Sequence, residues 1–144
     1  MTDDKSVTIT AMKLHAIRLK PEDDLRLMLE AFTKKNAISA GFIASAVGSL
    51  SRARLRFADA GIPDLIGGPL EIIALSGTLS PDGCHLHISA ADHRGNVIGG
   101  HVLSGCVVHT TLEIVIGDAQ TLSFRRALDP ATGYRELVVT PRHT

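Results

Sequence analysis

The chain has 144 residues, 44% of them hydrophobic and 3% aromatic, and its fifteen basic and fifteen acidic side chains cancel. That length can bury one substantial core, while a neutral balance argues against a polyanion as the main partner, since nucleic-acid domains usually carry a basic excess. With no Trp, one Tyr and four Phe, there is little material for a base-stacking surface or an aromatic cage.

No apolar run is long enough to span a bilayer, and Met1 to Ser6 is polar and acidic rather than signal-like. Two cysteines make no disulfide framework, and neither sits in a Cys-x-x-Cys pair. A cytoplasmic protein is expected, with residues 7–140 as a single domain and 1–6 and 141–144 as tails.

In chain order, Val7 to Leu19 reads as a first strand, broken by Lys20-Pro21. Pro21 suits a first helical turn, and Glu22, Asp23 and Asp24 put negative charge at its positive end. Leu25, Met28, Leu29 and Phe32 recur at helical spacing, so an amphipathic helix is predicted from Pro21 to about Lys35. Ala40 to Gly48 is small and apolar on both faces, as a buried strand would be, and Gly48-Ser49-Leu50-Ser51 reads as a strand break. Strict alternation follows, with Arg52, Arg54 and Arg56 outward and Ala53, Leu55 and Phe57 inward. Gly61 to Pro69 reads as a loop, Leu70 to Leu79 as an apolar strand, and Ser80-Pro81-Asp82-Gly83 as a turn. After a histidine-bearing hairpin, Gly105 to Ile116 is the longest β-rich run. Thr121 to Arg126 and Arg135 to Val139 form a last pair around Asp129 to Gly133. The predicted fold is α+β: a mostly antiparallel sheet with one main helix packed on a face, because strands outnumber helices too heavily for alternating βαβ units.

The hairpin carries the chemistry. His85 and His87 in Cys84-His85-Leu86-His87 are two apart, which in a strand places both imidazoles on one face about 7 Å apart. If the return loop is His93-Arg94-Gly95, Gly95 takes the left-handed position such loops favour, and His101 of Gly99-Gly100-His101 lies opposite His87. A two-residue loop would send His101 to the other face. Only the first register matches Leu86, Ile88 and Ala90 with Ile98, Gly100 and Val102. Three converging imidazoles make a metal site with an open position. Zinc, iron, nickel and copper all suit such donors, and zinc is the preferred reading.

On the next strand His109, Thr111 and Glu113 are expected to share a face. His109, Glu113 and Glu71 are candidates for orienting the metal ligands, against the plainer reading of an ordinary polar face. Alternation turns Cys84 away from the histidines, so it reads as a small core residue, as does Cys106. Arg52, Arg54 and Arg56 are the one basic stripe. They could follow phosphates, but a solvated face paired with carboxylates such as Asp59, or edge charges against sheet association, is preferred.

The order Gly41-Phe42-Ile43, Ala46-Val47-Gly48-Ser49-Leu50, Leu70-Glu71-Ile72-Ile73, Leu75-Ser76-Gly77-Thr78, His85-Leu86-His87-Ile88-Ser89, Val97-Ile98-Gly99-Gly100-His101 and Gly105-Cys106-Val107-Val108 resembles the PPC domain (plants and prokaryotes conserved, also called DUF296). The resemblance spans about Val7 to Val139. It implies a compact α+β fold, assembly as a homotrimer and, in some members, metal held at the positions of His85, His87 and His101. In plants the domain follows AT-hook motifs that bind A·T-rich DNA, and stand-alone bacterial members are often labelled DNA-binding by analogy. This chain has no Arg-Gly-Arg-Pro hook, and Pro69 stands where the plant partner-binding motif has an arginine. Three functions are therefore weighed: a homotrimeric module that binds metal and a small-molecule or protein partner, which is preferred; a metal-dependent enzyme; and a DNA-binding regulator. Apolar residues on both faces of several strands also call for an oligomer, because one helix covers one side of one sheet.

Overall fold

The computed structural model describes residues 7–9 and 11–142; the tail expected at 1–6 lies outside the described residues. Along the chain run β1 (Met12–Leu19), α1 (Leu25–Lys35), β2 (Gly41–Arg56), β3 (Asp64–Ser80), β4 (Gly83–Ala91), β5 (Val97–Val102), β6 (Val107–Ala119), β7 (Leu122–Leu128) and β8 (Arg135–Pro141). The first six strands form one antiparallel sheet in the order β1-β6-β2-β3-β4-β5. Its far edge folds back, because β5 also pairs with β2 through Leu55↔Val102 and Arg56↔His101. Strands β2 to β5 thus close into a ring, and β6 and β1 extend from β2 as a wing. Strands β7 and β8 form a separate hairpin, anchored by Leu122 and Phe124 against Ala40 and Ala119.

Alternation explains the core. Leu50, Ala53, Leu55, Leu70, Leu86, Ile88 and Val102 point inward and are buried. Leu25 and Leu29 of α1 join the same cluster. No second helix is present among the described residues.

The helix begins at Leu25 rather than Pro21, because Asp24 supplies the cap. Its backbone is extended, and its Oδ1 accepts from the Leu27 N–H at 3.0 Å. The other carboxylate oxygen accepts from the Gly105 N–H at 2.6 Å, tying the helix start to the approach of β6. An Asp24→Ala variant loses both bonds. It should be destabilised by about 2–3 kcal/mol in urea unfolding, more than the ~1 kcal/mol of an ordinary cap.

Two strand boundaries differ from expectation for one reason. The predicted break at Gly48-Ser49-Leu50-Ser51 is absent, and β2 runs through it. The predicted loop Gly61–Pro69 is strand from Asp64 on, since Asp64 to Gly67 pair with Leu55 to Arg52. Between Leu50↔Leu70 and Arg52↔Gly67, Gly68 and Pro69 oppose Ser51 alone. That is a bulge, a place where proline's missing N–H breaks no ladder bond. Pairing across the ring outweighs the local Gly and Pro signals. β1 starts at Met12 rather than Val7, and β6 at Val107 rather than Gly105.

A second irregularity affects a predicted face. In β6, His109, Thr110 and Thr111 oppose only Ser49 between the pairs Gly48↔Leu112 and Leu50↔Val108, and the Ser49 hydroxyl accepts from the Thr110 N–H at 2.9 Å. The alternation assumed for His109, Thr111 and Glu113 is interrupted there.

Candidate metal centre

The hairpin register is the one chosen by the apolar pattern. His87 pairs with His101, Ile88 with Gly100 and Ala90 with Ile98. Asp92 and Asn96 close the loop His93-Arg94-Gly95, with Gly95 at φ 82°. Leu86 and Val102 point into the core, so His85, His87 and His101 stand together on the outer face of the ring. Their ring centroids are 4.9 to 5.7 Å apart, and one nitrogen of each lies within 4.8 Å of the others. The three-histidine group can hold a metal ion.

The neighbours explain how the strands place these rings. Thr78 pairs with His85 and Ser76 with His87. The row Ser76, His87, His101, Arg56 therefore runs across four strands of the ring. The chain squeezes β5 between β4 and β2, and only glycine allows it: a Cβ at Gly99 would sit 2.6 Å from the Ile88 carbonyl oxygen, and one at Gly100 2.9 Å from that of Arg56. Where β4 and β5 separate, Arg26 of α1 bridges them. Its Nη1 donates to the Val102 carbonyl and its Nη2 to the Cys84 carbonyl, each at 2.9 Å, while Nε meets Glu30 at 3.1 Å. Arg26 thereby fixes the backbone beside two of the three histidines.

Electrostatics favour the ligating state. Burial, with help from Arg56, pushes the His101 pKa down to about 4. Burial and then Arg126 lower that of His85. Both rings are neutral at neutral pH, the form in which imidazole binds metal. The buried His101 Nδ1 has no hydrogen-bond partner, an expensive state for a buried polar atom unless a further group meets it. The donor set and this orphaned nitrogen fit a metal of the zinc type.

The other candidates are placed elsewhere. Glu113 pairs with Val47 and Arg18, three strands from β4, or roughly 14 Å across the sheet. Glu71 pairs with Ala91, four residues along β4 from His87, or roughly 13 Å. His109 lies in the β6 bulge. Cys84 and Cys106 are buried free thiols, as expected of small core residues. Burial pushes the Cys84 thiol up to about 12, which makes it inert. Arg52, Arg54 and Arg56 are exposed while Ala53 and Leu55 are buried, but none forms an ion pair among the described residues, so the expected pairing with Asp59 is absent. Arg54 donates to the Ser104 carbonyl, and Arg56 faces the histidines.

Residues 7–120 match the Plants and Prokaryotes Conserved (PCC) domain. The chain belongs to this family. It covers 92% of its own length and 96% of the other in superposition on a hypothetical protein from Salmonella cholerae-suis, at 38% identity and a TM-score of 0.90. A metal-containing protein from Archaeoglobus fulgidus superposes over 88% of this chain and 93% of its own, at 28% identity and a TM-score of 0.76. A 131-residue segment of the bifunctional protein GlmU of Synechococcus sp. (strain JA-2-3B'a(2-13)) is 49% identical over 91% of this chain, which spans 21% of that protein's length. The match to the PCC domain ends before β7, so the β7–β8 hairpin lies outside it. That hairpin contributes Arg126, Tyr134, Arg135 and Glu136 to a hollow beside the histidines. Sequence reading missed Arg26, Arg56, Arg126 and Arg135 as neighbours of this PCC site, since none stands in a motif with the histidines. No helix among the described residues is long and apolar enough to cross a membrane.

Proposed function

We propose that the chain is a zinc-binding, homotrimeric PCC module of the cytoplasm whose three-histidine centre receives a small molecule or a partner protein. The carrying observation is the convergence of His85, His87 and His101 with nitrogens within 4.8 Å. A metal-containing relative of the same fold supports it. Bound there, a zinc ion would supply a Lewis-acidic open position, while His109, Glu113 and Glu71 lie elsewhere on the sheet of the same subunit.

Assembly rests on the outer sheet face, from the β1 edge of the wing across to β2 and β3. Met12, Leu14, Val47 and Ile73 are each more than half exposed on the outer sheet face, opposite the side that α1 covers. A patch of that kind is seldom left in water, and a closed ring of copies buries it without an open surface. The number three comes from the resemblance to the PPC family. Nucleic acid is not favoured, because Arg54 is tied to Ser104 and the chain is neutral. Untagged protein should contain one zinc per chain by elemental analysis and sediment at three times the 15.3 kDa chain mass. Metal-free protein, or a stable monomer at micromolar concentration, would defeat the corresponding half of the proposal.

A further inference from the structure

Beside the histidines lies a hollow of about 450 Å³ bordered by His85 and His101. Arg26, Arg56, Arg126 and Arg135 stand in its wall, delivered by α1, β2, β7 and β8 respectively. Asp82 and Glu136 share that wall and offset part of its charge, but two carboxylates stand against four guanidiniums, and each has a partner outside the four side chains. Asp82 is held by Arg125 at 3.4 Å and by the Arg126 backbone N–H at 2.9 Å, and Glu136 accepts from the Thr132 hydroxyl at 3.0 Å. Among the described residues the four guanidiniums make one ion pair, Arg26 with Glu30. Arg126 donates through Nη2 to Thr78, and Arg135 through Nη2 to the Arg126 carbonyl, which leaves other N–H groups of both free. The Arg56 side chain makes no hydrogen bond among the described residues, although its backbone pairs with His101.

Arginine keeps its charge at any accessible pH. Four such groups surround the three imidazoles and outnumber the two carboxylates of the wall, Asp82 and Glu136, so the hollow carries an excess of positive charge to which a divalent ion would add. An anion relieves that repulsion, and guanidinium forks match the planar or tetrahedral faces of carboxylate and phosphate. The volume is in the range of small-ligand sites, about 300–1,000 Å³. The arginines converge on it from four elements, whereas a surface that tracks a polymer would spread them in a line. We propose that this hollow binds a small anionic compound, its carboxylate or phosphate gripped by Arg56 and Arg135 and a second oxygen turned toward the three-histidine centre. Only that second attachment rests on the metal reading. Since Arg126 and Arg135 come from the hairpin beyond residue 120, the choice of anion is set by a segment outside the family match.

Calorimetric titration at low ionic strength tests this, using malonate, inorganic phosphate and uncharged malonamide on chelator-treated and on zinc-loaded protein. Saturable binding of malonate or phosphate is expected in both forms, tighter with zinc, and none of malonamide. The preferred anion identifies the carboxylate or the phosphate class. Arg56→Gln and Arg135→Gln should each weaken binding about tenfold, the scale of one charge-assisted hydrogen bond, with melting temperature and zinc content unchanged. Two variants on different strands keep the test alive should one of them misfold. Absence of saturable anion binding in either form, with zinc content intact, overturns this inference and leaves the metal reading standing. Anion binding indifferent to both substitutions also overturns it. Anion binding by protein that takes up no zinc supports the arginine grip and removes the metal reading alone.

Discussion

His87→Ala and His101→Ala proteins should emerge from dialysis against a chelator without metal, under conditions in which the wild-type chain keeps it. Each variant removes one of three nitrogens that lie within 4.8 Å of one another. Affinity should fall by more than about a hundredfold, because loss of even an outer hydrogen-bond partner of a metal ligand costs ten- to hundredfold. The fold should tolerate the His87 change, since that side chain is exposed and such substitutions usually stay within about 0.5 kcal/mol. His93→Ala is the matched control. His93 sits in the hairpin loop, exposed and outside the group, so its loss should leave metal content unchanged. Equal metal in wild type and in both variants would remove the proposed centre.

The second large effect is expected at Gly77, one strand away from the histidines. Gly77 pairs with Leu86 and has a φ of +151°, and a Cβ there would lie 2.0 Å from the His85 carbonyl oxygen and 2.9 Å from the Leu86 Cα. Backbone occupies the space, so no side chain can swing aside. Gly77→Ala must push β3 from β4 at the residue that carries the first imidazole. Strain of this kind together with overpacking should cost about 3 kcal/mol or more, which for a chain this size lowers Tm by roughly 10 °C. Metal affinity should fall as well, because His85 moves with its carbonyl. Gly95→Ala offers a contrast. Gly95 is also left-handed, at φ +82°, but a Cβ there meets nothing within 4 Å, so only the backbone penalty of about 1–2 kcal/mol applies. A Gly77→Ala protein as stable as Gly95→Ala, with its metal retained, would mean that the two strands do not approach so closely.

These two sites differ in how far the sequence revealed them. The histidine group was legible because everything that sets it is local. Alternation places His85 with His87, a loop with Gly95 in the left-handed position fixes the return, and matching apolar residues settle the register, all within seventeen residues. The exposed stripe of Arg52, Arg54 and Arg56 was legible for the same reason. The crowding at Gly77, Gly99 and Gly100 was not, because it depends on which strand lies alongside.

The sequence by itself determined the α+β class, the family, the single amphipathic helix and the three imidazoles on one face, since each follows from periodicity, turn chemistry or motif order over a short span. Only the tertiary structure decided the rest. It carried β2 through its expected break and β3 through its expected loop, placed Glu113 and Glu71 away from the histidines, returned β5 to β2 so that Arg56 stands beside His101, and brought Arg26, Arg126 and Arg135 to the same hollow. The physical reason is that strand pairing and side-chain convergence join residues dozens of positions apart. Their free energy comes from partners that no local pattern contains, and there it outweighs the turn signals of Gly68 and Pro69 and the alternation expected of His109 to Glu113.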